Sequence, residues 1–129
     1  KVFSNEINRK ANKYAELNIE LNKLKKKIEL VSGDIKKVAR KLKIKFDTIV
    51  MPRPQLKETF LKEAFKLSKK NTKVYYYDFC KENEMKLVLE KIQKAARQFR
   101  RRIKILKIKK AGEIAPYKIR VRVDFQVIN

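Results

Sequence analysis

The chain has 129 residues, 43% hydrophobic and 39% charged, which is too apolar for a disordered tail and long enough for one cored domain with an appendage. Its 36 Lys and Arg against 14 Asp and Glu leave a net charge of +22, and the self-repulsion of such a surface points to a polyanionic partner, nucleic acid before any other. One cysteine, Cys80, and no histidine exclude an internal disulfide and the ordinary zinc sites, and no apolar run approaches the ~20 residues of a membrane span.

In chain order, apolar side chains at Ile7, Ala11, Tyr14, Leu17, Leu21, Leu24, Ile28 and Val31 recur every three or four residues. This spacing predicts one amphipathic helix over 5–31, with Ser4 as N-cap and Ser32-Gly33 as the stop. At ~1.5 Å per residue it would be roughly 40 Å long, so residues 1–33 read as a basic helical arm. Its stripe at Leu17, Leu21, Leu24, Ile28 and Val31 needs a cover: the chain's own domain, a coiled coil or a protein partner. Residues 34–43 read as a short second helix begun by Asp34, and Lys45–Met51 as a strand closed by Pro52-Arg53-Pro54.

Residues 55–70 carry a helical stripe at Leu56, Phe60, Leu61, Ala64, Phe65 and Leu67, ended by Asn71-Thr72. Lys73–Phe79 is aromatic and β-branched and predicts a strand, in which Tyr75 and Tyr77 share one face and Tyr76 the other. Glu82–Arg101 is the strongest helical pattern, with Met85, Val88, Leu89, Ile92, Ala95, Ala96 and Phe99 on one face. Arg102–Lys110 predicts a strand whose period slips at Leu106, as at a bulge. After a turn at Ala111-Gly112-Glu113, Tyr117–Val127 alternates without a fault, apolar at odd positions and mostly basic at even ones.

The fold class predicted is α/β (α+β): a two-layer β-α-β-α-β-β sheet from residue 45 onward, preceded by the long N-terminal helix and by the short second helix that joins the sheet in one small α/β nucleic-acid-binding domain over 34–129. Two helices on one sheet face leave the other face open. From residue 45 onward this element order and the basic hairpin resemble the Alba family of archaeal chromatin proteins and the C-terminal domain of bacterial translation initiation factor three. The loop that is glycine-rich and basic in Alba-like proteins stands here as Asp78-Phe-Cys-Lys-Glu-Asn-Glu84. That resemblance implies a small nucleic-acid binder. A second pattern, Val38-Ala39-Arg40-Lys41-Leu42-Lys43-Ile44 followed by Thr48-Ile49, resembles helix-turn-helix spacing over 34–50, with Pro52 cutting its second helix short.

The candidate nucleic-acid-binding residues are the basic clusters: Arg100, Arg101 and Arg102; Lys104, Lys107, Lys109 and Lys110; Lys118, Arg120 and Arg122; Lys36, Lys37, Arg40 and Lys41; and Arg53. Guanidinium and ammonium groups at this density suit a phosphate backbone, and Tyr75, Tyr76 and Tyr77 could stack on bases. Without histidine, a glycine-rich phosphate loop or a serine elbow, the sequence predicts no enzyme, no cofactor and no metal. It predicts a structural RNA-binding component of a ribonucleoprotein such as a ribosome, with a DNA-binding regulator or chromatin-type protein as the alternative. RNA is favoured as partner over DNA, no membrane is involved, and the lone cysteine fits an intracellular, reducing compartment, the cytoplasm or an organelle with an AT-rich genome.

Overall fold

The structure, a computed structural model, describes residues 1–53 and 59–129. It divides into two compact units, Lys1–Lys43 and Ile44–Asn129. The first is a small βαβα unit. Strand β1 (Val2–Glu6) leads through helix α1 (Arg9–Leu21) to a parallel strand β2 (Ile28–Ser32), in register from Val2 opposite Ile28 to Glu6 opposite Ser32. Helix α2 (Ile35–Lys41) follows.

The single helix expected over 5–31 is therefore one shorter helix, α1, flanked by the end of β1 and most of β2. Ser4 lies within β1, and the N-cap is Asn8, whose side chain accepts from the amides of Lys10 and Ala11. The helix stops at Leu21 because Asn22 turns its side chain back to the Asn18 carbonyl and Lys23 takes a left-handed φ of 55°, a local competitor that polar residues offer the helix. The three-and-four spacing ran on through Leu24, Ile28 and Val31 by coincidence, since Ile28–Ser32 is also β-branched enough to be a strand. No long arm exists, and with it goes the coiled coil. Asp34 caps α2 as expected, accepting from the Lys36 amide at 3.0 Å.

The second unit is one four-stranded sheet in the order β3-β4-β6-β5. Strand β3 (Phe46–Met51) is parallel to β4 (Ser68–Lys81), and β6 (Lys118–Val127) lies antiparallel between β4 and β5 (Ile103–Ala115). Helix α3 (Leu61–Lys66) belongs to the β3–β4 crossover that a parallel pair requires. Helix α4 (Met85–Gln98) carries the chain from β4 to β5, and the hairpin then returns β6 into the open slot. The helix-turn-helix expected at 34–50 is absent because Phe46–Met51 is a strand. The expected helix over 55–70 ends earlier than Lys70, since Ser68 already pairs with Phe46, while its start at 55–58, with Leu56, and the Pro54 expected to close the preceding strand lie outside the described residues.

The core lies between α3, α4 and one sheet face. Ile119, Val121, Val123, Phe125 and Val127 of β6 are buried, as are Val74 and Tyr76 of β4, Leu61 and Phe65 of α3, and Val88, Ile92 and Ala96 of α4. Each large apolar side chain buried here stabilises the fold by roughly 1.5–3 kcal/mol. Phe65 anchors the junction, its ring 6.4 Å from Phe99 and 5.8 Å from Phe125. Register slips between Ile105 and Lys107, so Leu106 is the bulge that its period implied. The hairpin differs from expectation: β5 continues through Gly112, at φ 132°, and the chain reverses at Tyr117, at φ 63°.

Candidate functional site

Two surfaces carry chemistry. In the first unit the carboxyl ends of the parallel strands adjoin. The Gly33 amide donates to the Glu6 carbonyl at 3.1 Å, and Asn12 Nδ2 donates to the same carbonyl at 3.0 Å. Glu6 therefore closes β1 directly beside the Ser32-Gly33-Asp34 turn that closes β2. Each carboxylate spends one oxygen locally: Glu6 Oε1 accepts from the Asn8 amide at 3.0 Å, Asp34 Oδ1 from the Lys36 amide. Two acidic side chains thus stand at adjacent strand ends, each ahead of a helix, on the edge where open α/β sheets take their ligands.

In the second unit the sheet face opposite α3 and α4 is half-buried along β4 and β6 and exposed along β5. Cross-strand partners share a face, so Tyr75, Tyr77 and Phe79 of β4 stand beside Asp124, Arg122 and Arg120 of β6. Lys104, Lys107 and Lys109 of β5 stand on the far side of Gln126, Asp124 and Arg122. The arginines lie over the tyrosines. Arg120 is 4.5 Å from the Tyr77 centroid and donates to the Pro52 carbonyl at 2.7 Å. Arg122 is 5.8 Å from the Tyr75 centroid and grips Asp124 with Nε at 2.8 Å and a terminal nitrogen at 3.0 Å. Tyr76 points into the core, where its hydroxyl donates to Asp78 at 2.6 Å. Lys91 donates to the same carboxylate at 2.7 Å.

The predicted binding residues separate by environment. Lys104, Lys107, Lys109 and Lys118 are exposed, and among the described residues they have no ion pair. Lys110 is held by Glu113 at 2.7 Å and Glu82 at 3.3 Å. Arg101 braces the fold, donating to the carbonyls of Asn129 and Ser68, each at 2.8 Å. Arg100 is exposed in a left-handed turn at φ 53°. The Arg102 amide donates to Asn129 Oδ1 at 2.9 Å, and Arg53 is exposed after β3. Lys36, Lys37, Arg40 and Lys41 lie on α2 in the first unit. Burial, reinforced by the Asp78 and Glu84 charges, pushes the Cys80 thiol up, so it is no ready nucleophile. Among the described residues no helix is long and apolar enough to cross a membrane.

Comparison with known proteins identifies the family. The family model of the TRM5/TYW2 methyltransferase domain matches residues 1–106. The chain is 31% identical over 127 residues to tRNA (guanine(37)-N(1))-methyltransferase Trm5b of Pyrococcus abyssi (strain GE5 / Orsay), covering 98% of this chain and 37% of that protein. The crystal structure of that Trm5b superposes with a TM-score of 0.87 at 30% identity, over 99% of this chain and 38% of the other. TYW2 of M. jannaschii, solved in complex with AdoMet, gives 0.84 at 24% identity, over 99% and 57%. The complex of aTrm5 with tRNALeu gives 0.77 at 23% identity, over 100% and 35%. The chain thus spans a little over a third of the length of the curated relative it matches.

These matches correct four expectations. The likeness to Alba and initiation factor three rested on element order and a basic hairpin, which many folds share, and the βαβα start extends the alternation into a different family. The non-enzymatic ribosomal or ribonucleoprotein component, and the DNA-binding regulator beside it, give way to a methyltransferase family. The missing histidine and serine elbow did not exclude an enzyme, because a group-transfer cofactor brings its own reactive atom. The sequence alone does not distinguish Glu6, and in it Asp34 reads only as a helix cap. The signal that finds them is a carboxylate at or just after the end of each of two parallel strands. The chain belongs to the TRM5/TYW2 methyltransferase family.

Proposed function

We propose that this chain is a section of an S-adenosylmethionine-dependent tRNA methyltransferase, its first unit holding the nucleoside part of the cofactor and its second facing the tRNA. The observation that carries the reading is the pair of carboxylates, Glu6 and Asp34, at adjoining strand ends in a member of this family. A carboxylate at such a strand end is the usual acceptor for ribose hydroxyls, and a second carboxylate nearby suits an exocyclic amine. Two accepting carboxylates fit the hydroxyls and amine of a nucleoside. The two glycines, Gly33 and Gly112, form no glycine-rich loop for the rest of the molecule.

When bound, the cofactor supplies an electrophilic methyl group on a sulfonium centre. The protein's part is then binding and orientation rather than nucleophilic attack. Glu6 accepts from the ribose, Asp34 from the base, and the Gly33–Glu6 hydrogen bond keeps the two carboxylates together. The lysines of the sheet, Lys104, Lys107, Lys109 and Lys118, neutralise phosphates, while Arg120 and Arg122 lie over Tyr77 and Tyr75.

Filter binding of labelled tRNA by the full chain tests the RNA side. Binding weakens steeply with salt, each phosphate neutralised adding ~0.7–0.9 to the log–log slope. Absence of retention, or a flat salt dependence, contradicts the reading.

A further inference from the structure

We propose that the cavity between the end of β4 and the β5–β6 turn is a subsite for one unpaired ribonucleotide, its phosphate held between Lys81 and Lys118 and its base on Tyr117. The inference rests on the reading of the chain as part of an RNA-modifying enzyme. The cavity has a volume of about 740 Å³, within the usual range for ligand sites. It lies at the carboxyl end of β4, the edge at which α/β sheets receive ligands.

Lys81 and Lys118 are register partners, directly opposite across the antiparallel β4–β6 ladder. Like charges so placed repel. Neither has an ion pair among the described residues. The acidic group lining the same cavity, Glu82, lies against Lys110, which also holds Glu113. Glu82 is thus directed to Lys110 and not to the lysine pair, and a phosphate between Lys81 and Lys118 relieves their repulsion.

Tyr117 is 82% exposed and stands at φ 63°, a conformation that is an outlier for a bulky residue and is natural to glycine. Its backbone is fixed there by the Glu82 amide, which donates to the Tyr117 carbonyl at 2.9 Å. A large ring is thus displayed to solvent from a backbone that disfavours it, as strained residues at ligand sites often are. Its face suits an unpaired base, and Asn83, an amide able both to donate and to accept, lines the same cavity. A duplex keeps its bases stacked and would meet only the lysines.

The test uses the full chain with two probes of equal charge: a labelled seven-nucleotide single-stranded RNA, and the same backbone without bases. The wild type binds the RNA about tenfold more tightly than the abasic strand. Tyr117→Gly brings the RNA to the abasic affinity while raising the thermal midpoint, because it removes the backbone strain. Tyr117→Phe keeps the wild-type preference. Lys81→Gln with Lys118→Gln weakens both strands alike. Equal affinity of the wild type for the two strands, or an unchanged preference in Tyr117→Gly, overturns the subsite alone. Binding of neither strand overturns it together with the RNA reading on which it rests.

Discussion

The Gly33 amide donates to the Glu6 carbonyl at 3.1 Å, so the turn that carries Asp34 is fastened to the strand end that carries Glu6. Gly33 stands at φ 118°, where only glycine is at ease. An added Cβ would meet Val38 Cγ2 at 3.6 Å, an ordinary contact, so the penalty of a larger residue is the backbone's. Gly33→Ala is expected to destabilise the protein by about 1–3 kcal/mol and to weaken adenosine binding. Urea denaturation and calorimetric titration check the two effects.

Tyr76 supplies a pH dependence. Burial, together with its hydrogen bond and proximity to the Asp78 carboxylate, raises its hydroxyl pKa far above the ordinary value of 10.0. The folded state keeps the proton that the unfolded chain releases near pH 10. The stabilisation is therefore complete below pH 10 and declines as the pH rises beyond it. Tyr76→Phe is expected to lower stability at pH 8 by about 1–3 kcal/mol and to flatten the decline above pH 10. Denaturation at pH 8, 10 and 11 measures both.

Two basic residues predicted as binders part company. Arg101 donates to the carbonyls of Asn129 and Ser68, so Arg101→Ala is expected to cost about 2 kcal/mol of stability. Lys107 is exposed and unpaired among the described residues. Lys107→Ala is expected to leave stability within about 0.5 kcal/mol and to lower the salt slope of tRNA binding by ~0.7–0.9. Thermal unfolding beside filter binding at four salt concentrations separates the roles.

Much of the second unit was legible because its signals were local and redundant. The alternation from Tyr117 to Val127, the slip at Leu106 and the opposed faces of Tyr75 and Tyr76 each follow from the two-residue period of a strand. The first unit was not legible by the same means. A helical period can persist across Asn22-Lys23, since no glycine or proline marks the break, and the stop depends on an Asn side chain bonding its own backbone. The acidic pair escaped for a different reason. Glu6 and Asp34 are 28 residues apart in sequence, and only the parallel pairing of β1 with β2 brings them to one edge.

The central claim concerns that edge. Equilibrium dialysis of labelled S-adenosylmethionine against the full chain measures it most directly, with adenosine as competitor and Glu6→Ala as control. The account predicts retention of the label, displacement by adenosine, and a loss of about tenfold or more in affinity for Glu6→Ala, the scale of a hydrogen bond to a charged group. Retention that is indifferent to adenosine and to Glu6→Ala, or no retention, would contradict it.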